Sequence, residues 1–585
     1  MKLTLIAIAT LLLSPALGAD ASLQPPESLE AAVAARRAGT CAPHLESLRS
    51  QAEDSNATGA RARYLLAHCL ETLGRAPEAH AAFLETAGRY LPVASHARYH
   101  AARVALAMDR PQDTLEALTA IDAGSLPRPL SQRLRVIRAD ALLRIERAAD
   151  AARILRSLVR EQGLDDDLMA QAWWLLAGAA ERVGDRDDAI HAYGMAWWAV
   201  PQNRYAADAV RRLRTLLGGR APVPPADGRI RRGFRLLRMG QPDEAERELL
   251  TGARGRPAPG LAADAWLQIG LLRGGGRRAV SAFREAARYS HQNTRAQYWL
   301  GRSLLTAGRG AEGRGILRRV VSRFPSSPWA PRALLVLARY VEGSDAEAIF
   351  QELNQKYPGS ASADEARWRR GWSRFRAGRF AEAESIFRDA ARRYPAAPKA
   401  PANLYWAAKA KAARGLDARA DVAQVADRYP LTFYGQRANA RLGRVPAQPA
   451  DRPGPTRLPE AEFGPAFAEL DALGFDTEGA EVAEAAAERT RDRAILWAAA
   501  AMRLEAGQVD DALRSSEVAI GPSLYGGAAA DRDLWMLAYP RAYWDAVQTA
   551  AEAANVDPYL VLSVIREESR FDPRAISIAG AVGLM

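Results

Sequence analysis

The residues best equipped for chemistry lie near the end of the chain. Asn555 to Pro573 reads Asn-Val-Asp-Pro-Tyr-Leu-Val-Leu-Ser-Val-Ile-Arg-Glu-Glu-Ser-Arg-Phe-Asp-Pro. Asp557 is a good N-cap and Pro558 suits a first helical position, so a short helix is predicted with Glu567 and Glu568 at its C-terminal end. At about 100° per residue, Leu560, Val561, Val564 and Ile565 fill one arc, with Glu568 inside it and Glu567 at its edge. An ionised carboxylate on a buried face is costly, and burial favours the protonated carboxyl that a general acid uses. Glu568 is therefore the candidate acid. The competing reading is a frayed helix end that leaves Glu568 solvated. Asp572, followed by Pro573, reads better as an N-cap than as a second catalytic carboxylate.

Other chemical constellations fail on context. Gly308, Gly310 and Gly313 form a lone GxGxxG, but no strand precedes it and no βαβ unit surrounds it, as a dinucleotide site requires. His96 and His100 are spaced to share a helix face, yet zinc needs at least a third protein ligand and none is evident nearby. No metal and no cofactor are expected. The pairs Trp173-Trp174 and Trp197-Trp198 can stack on sugars, but helical spacing assigns them to core between helices. No Ser/His/Asp arrangement has usable context.

The elements that must position such residues form an array. A turn recurs as Gly74 to Ala79, Gly184 to Ala189, Gly240 to Ala245, Gly378 to Ala383 and Gly507 to Ala512, each with glycine first, an acid before the last position and alanine last. Glycine ends one helix in the left-handed region, the acid complements the next helix dipole, and the alanine admits close helix approach. Apolar residues at helical spacing flank the turns, such as Trp173, Leu176 and Ala180 before one and Ile190 and Tyr193 after it. This pattern is of the tetratricopeptide class, with irregular periods, and no convincing β alternation occurs. The fold expected is all-α: a superhelical array of tetratricopeptide-like helix pairs over residues 19–445. A Pro-rich linker follows at 446–459, then a helical linker domain at 460–538, with a last segment at 539–585. Gly218 to Gly228 reads as a long loop.

The N-terminus sets the compartment. Met1-Lys2 is a short basic start, Leu3 to Leu13 is apolar, and Ala16-Leu17-Gly18 places small residues where a signal peptidase cuts. Residues 1–18 are read as a cleavable secretory signal; the apolar run is too short to span a bilayer, and no later segment is long and apolar enough. The 585-residue chain carries a formal net charge of +12. A basic surface suits an anionic partner, but no lysine-rich run or basic tail supports nucleic-acid binding. In an oxidising compartment the two cysteines, Cys41 and Cys69, can pair; two buried free thiols are the alternative.

Three stretches together resemble one family. They are Tyr539-Pro540-Arg541-Ala542-Tyr543, Val556 to Leu560 with Arg566 to Pro573, and Ser577 to Met585 ending Gly583-Leu584-Met585. They resemble the start of the catalytic domain of soluble lytic transglycosylases, and Tyr429 to Gly435 resembles the end of that family's helical scaffold. The resemblance implies that 539–585 opens a lysozyme-like α domain that cleaves the β-1,4 bond between N-acetylmuramic acid and N-acetylglucosamine of peptidoglycan. It implies that Glu568 is the acid and then the base, leaving a 1,6-anhydro ring, and that Ser569, Gly583, Leu584 and Met585 contact substrate. It implies a periplasmic protein whose partners are glycan strands and cell-wall proteins. The family's domain continues past the position of Met585, so the 585-residue polypeptide is expected to be inactive by itself. A non-catalytic periplasmic repeat adaptor and a muramidase that hydrolyses with water are the alternatives.

Overall fold

The computed structural model describes residues 27–121, 126–200, 203–289, 294–445, 464–492, 495–520, 532–575 and 582–585. The expected signal sequence and Pro-rich linker fall outside them. The described chain is built of helices in succession from Glu27–Ala38 to Pro558–Glu568, with no β-strand and a lone bridge residue at Val582. The all-α expectation holds. The loop expected at Gly218 to Gly228 is shorter than read, because a helix starts at Ala226.

The recurring turn does what its residue types require. Gly74, Gly184, Gly240, Gly378 and Gly507 have φ between 73° and 79°. In each case the next residue's N–H reaches back to close the preceding helix, as in Arg75 to the Leu70 carbonyl at 2.8 Å and Gln508 to the Arg503 carbonyl at 2.8 Å. Acids occupy the first turn of the following helix: Glu78, Asp188, Glu244, Glu382 and Asp511. The alanines Ala79, Ala189, Ala245, Ala383 and Ala512 are each 0% exposed.

Paired helices approach closely where a side chain is missing. A Cβ on Gly371 would lie 2.4 Å from the Phe387 ring, and one on Gly270 would lie 2.4 Å from Phe283. Both rings are fully buried. The GxGxxG is explained in the same terms: Gly308 is a left-handed turn, and a Cβ on Gly313 would lie 2.7 Å from the Gly301 carbonyl oxygen. Gly371→Ala should therefore destabilise by about 1–3 kcal/mol, the usual cost of overpacking, despite alanine's better helix propensity. Chemical denaturation of the two proteins measures it.

Two compact units share the chain. One contains Pro224–Asp451, Ile520–Arg532 and Asp545–Met585. The other contains the residues up to Val223 together with Arg452–Ala519 and Asp533–Trp544, so within it the chain returns to its own first repeats. One apolar core there joins Leu29, Tyr64, Phe83 and Leu134 to Phe467, Leu470, Phe475 and Met502. Ion pairs ring it: Arg61 with Glu469 at 2.6 Å, Arg133 with Glu481 at 2.7 Å and Arg37 with Asp476 at 2.8 Å. The Arg36 guanidinium lies 4.1 Å over the Phe475 ring and donates to the Gly474 carbonyl. Cys41 and Cys69, both fully buried, form a disulfide bond in the same unit.

The Glu481 side chain is only 6% exposed. Removing its partner leaves a buried charge without compensation, a loss of roughly 3–5 kcal/mol. Arg133→Ala is expected to fall near the lower end, since Arg133 is itself part-exposed. Arg133→Ala combined with Glu481→Gln should recover part of the loss in a denaturation cycle.

Candidate active site

The segment carrying the candidate acid is two helices, Trp544–Ala554 and Pro558–Glu568. Asn555 turns left-handed at φ 52°, and the Val556 N–H closes the first helix on the Ala551 carbonyl at 2.9 Å. The Asp557 carboxylate then accepts from the Tyr559 N–H at 2.8 Å, capping the second helix, with Pro558 at its first position. Glu567 and Glu568 end it, as the spacing predicts.

The buried face differs from the one read from helix phase. Leu562 and Ile565 are buried, with Ser569 and Phe571 beyond them. Leu560 is 59% exposed and Val564 39%, and Glu568 is exposed with them. Of the apolar arc only Ile565 is buried and Val561 half-buried; the packed side runs through Leu562 and Ile565, away from Leu560 and Val564. The burial expected for Glu568 is therefore corrected. Val556, Tyr559, Leu560 and Val564 leave an apolar strip open beside it. Glu567, also exposed, pairs with Arg566 at 3.3 Å.

Ser569 is committed to the turn rather than to Glu568. Its hydroxyl donates to the Ile565 carbonyl at 3.0 Å and accepts the Phe571 N–H at 3.1 Å. Arg570 and Phe571 are both left-handed, at φ 55° and 64°, a conformation uncommon for such side chains and costly where it occurs. The buried Phe571 ring and the Ser569 bonds hold it. Asp572 accepts from the Arg574 N–H at 2.8 Å, capping a turn and not a helix. The Gly583 N–H returns to the Ala575 carbonyl at 3.0 Å. Gly583 and Leu584 are half-buried there and Met585 is exposed. Tyr539 stacks on Trp535, and the Arg541 guanidinium lies 4.1 Å from the Trp544 ring.

The histidines assemble differently from their spacing. His100 meets His68, with ring centroids 4.5 Å apart, and His68, Glu71 and His100 place ligand-type atoms within 4.8 Å of one another. Sequence reading missed this trio because His68 and His100 lie on different helices. Arg103 already neutralises Glu71 at 2.6 Å and approaches the His100 ring at 3.3 Å. Arg36 and Arg103 both act on His68 as positive charges. These groups suit a paired buried network better than a divalent cation. Trp198 packs on Gly194, Trp173 meets His191, and Trp174 stacks on Tyr205.

Burial keeps these imidazoles neutral. His68 and His100 titrate well below their ordinary range, and burial, with Arg133 nearby, lowers His96 to about 4. The unfolded chain binds these protons more readily, so the stability is whole above about pH 6.5 and is lost as pH falls toward 4. His96 alone contributes on the order of 3 kcal/mol across that window. Melting temperature followed from pH 7 to 4 should fall, and His96→Gln should flatten the curve.

Comparison with known proteins bears on both parts of the chain. Residues 545–585 match the transglycosylase SLT domain family, and 136–204, 273–328 and 332–401 match a tetratricopeptide repeat family. No curated protein matches the chain. Among solved structures, the 70 kDa soluble lytic transglycosylase of Escherichia coli is similar at 15% identity and TM-score 0.40, over 91% of this chain and 80% of that one. An inactive mutant of the lytic transglycosylase Slt from Pseudomonas aeruginosa is similar at 17% and 0.35, over 86% and 76%. Yeast Tom70 is similar at 13% and 0.24, over 87% and 97%. The chain thus joins tetratricopeptide repeats to a segment of the transglycosylase SLT domain family.

Proposed function

We infer that the protein serves peptidoglycan turnover as a lytic transglycosylase, with Glu568 as its acid and base. The observation that carries this reading is the position of Glu568. It is the last residue of a capped helix inside the family-matched segment, followed at once by a constrained turn. In the proposed reaction the Glu568 carboxyl protonates the leaving glycosidic oxygen. The resulting carboxylate then takes the proton of the muramoyl C6 hydroxyl as that oxygen closes on C1. One carboxyl suffices because the sugar supplies its own nucleophile with the advantage of intramolecular attack. Hydrolytic glycosidases need a second carboxylate for that role. The product is a 1,6-anhydro end, lighter by one water than a hydrolytic end. The proposed setting is the periplasm, where a chain of net charge +12 meets an anionic wall polymer.

Catalysis on this scheme needs water kept from the bond being cut. With Glu568 exposed and the Leu560–Val564 strip open, the 585-residue polypeptide should release little or no anhydro product from purified sacculi. A form extended by the continuation expected from the family resemblance should release it. There, Glu568→Gln should lower the rate by about 100- to 10,000-fold, the usual range for a general acid, without loss of melting temperature. Mass spectrometry of the soluble fragments decides. Full activity in the Gln variant removes Glu568 from the mechanism, and reducing ends in place of anhydro ends indicate hydrolysis. An extended form that binds sacculi without cutting them is an adaptor.

A further inference from the structure

Three glycines stand in a row in the unit that contains Pro224–Asp451. Gly274, Gly275 and Gly276 join the Pro259–Leu272 helix to the Gly276–Tyr289 helix. All three are left-handed, at φ 73°, 80° and 63°. The recurring turn of the array needs one such glycine, and two more change what the backbone offers. After Gly74 or Gly507 the next N–H closes the preceding helix, but the Gly275 N–H makes no such bond. It stands beside the Gly276, Arg277 and Arg278 N–H groups, which at a helix start have no intrahelical acceptor. A Cβ on Gly274 or Gly276 would meet nothing within 4 Å, so the turn is uncovered. Successive N–H groups of this kind form a concave cradle for an anion, and the helix dipole favours negative charge there.

Helix starts are common, and this one differs from the others in what surrounds it. Ser303, on the Thr294–Thr306 helix, is 2% exposed, yet its hydroxyl has no hydrogen-bond partner among the described residues. The hydroxyl oxygen lies 3.8 Å from where a Cβ on Gly275 would stand, so it faces the cradle. A buried hydroxyl without a partner is unfavourable, and a bound anion would accept its proton.

The charges also reverse the rule of the array. Other helices begin with an acid that offsets their positive end, as with Glu78 and Glu382. The Gly276–Tyr289 helix has no acid in its first turn, and Arg277 and Arg278 stand there instead. Both are exposed, and neither has an ion pair among the described residues. By contrast Arg273, Arg284 and Arg288 each meet a glutamate, at 2.9 Å, 3.2 Å and 2.8 Å. Leu271 to Tyr340 holds fourteen arginines against two glutamates, with no lysine or aspartate, a net charge of +12. That equals the net charge of the whole chain, so anions are drawn to this stretch above all.

We propose that the Gly274–Arg278 turn binds a phosphate group. Its oxygens are taken by the Gly275 to Arg278 N–H groups, the Ser303 hydroxyl and the Arg277 and Arg278 guanidiniums. A tetrahedral, doubly charged anion uses donors that converge from several directions, where a planar carboxylate offers two oxygens in one plane. The group belongs to a soluble phosphate ester or to a lipid headgroup.

The test begins with isothermal titration calorimetry of inorganic phosphate on the whole protein. Binding is expected at millimolar concentration or below and should weaken as sodium chloride is raised. Acetate should bind at least about tenfold more weakly. Arg277→Gln combined with Arg278→Gln should lose about tenfold or more in affinity, and Ser303→Ala several-fold, each at an unchanged melting temperature. Arg319→Gln combined with Arg323→Gln removes the same charge elsewhere in the stretch and should leave affinity within about twofold. Sedimentation with phosphatidylcholine vesicles carrying phosphatidic acid separates the sources. Capture beyond that by pure phosphatidylcholine, lost with Arg277 and Arg278, assigns a lipid headgroup; absence of such capture assigns a soluble phosphate ester. No binding of inorganic phosphate at millimolar concentration overturns the proposal. So does acetate bound as tightly as phosphate, unchanged affinity in the Arg277 and Arg278 double variant or in Ser303→Ala, or an equal loss in the Arg319 and Arg323 double variant.

Discussion

Helix pairs in this protein meet closely where a large side chain is missing and a neighbour needs the space. Alanine at 0% exposure after each turn and glycine beneath Phe283 or Phe387 bring backbones close enough for large rings to be fully enclosed. Apolar burial supplies the driving force, on the order of 25 cal/mol per Å². Only a shape this tight turns it into a particular register. A left-handed residue at the turn, glycine in the recurring motif and Asp109 or Glu146 in others, fixes where the next helix begins, and the close-packing residue fixes how it lies. Everything placed on the repeats inherits its geometry from that constraint.

The unit containing the N-terminal repeats adds a second kind of constraint. An open array exposes the apolar face of its first helices; here Phe467, Leu470 and Phe475 cover it. The cover is keyed by charge. Arg61, Arg133 and Arg37 each meet a carboxylate from the returning segment, and a register shift would bury those charges unpaired. Such pairs contribute little net stability compared with an apolar substitute. Their effect is to penalise wrong packings. The histidines behave alike: His68 and His100 are tolerated inside only as neutral rings.

How much of this the sequence discloses depends on how far apart the interacting residues stand. The turn from Gly74 to Ala79 is legible because its glycine, acid and alanine act within one turn of chain. Asp557 and Pro558 start a helix for the same reason. The contact of Arg133 with Glu481 spans 348 residues, and nothing in either neighbourhood encodes it. The His68–Glu71–His100 trio is hidden likewise, since two helices must pack before it exists. Glu568 is intermediate. Helix phase identifies an apolar arc holding Leu560 and Val564, but an amphipathic pattern does not say which side finds a partner. In the described residues the Leu562–Ile565 side does.

The end of the Pro558–Glu568 helix breaks a local rule. Carbonyl groups at a helix C-terminus carry partial negative charge, so acidic residues there are unfavourable by about 0.3–1 kcal/mol each at a surface. Two adjacent glutamates occupy that place. Arg566 offsets Glu567 at 3.3 Å, but Glu568 has no ion pair among the described residues. The next residues add cost, with Arg570 and Phe571 both left-handed. The Ser569 bonds and the buried Phe571 ring offset the backbone cost, but no ion pair among the described residues offsets the charge of Glu568. Sites that violate local preference without local compensation are where function is expected to reside. Glu568 fits that expectation by its own charge and position, apart from family likeness.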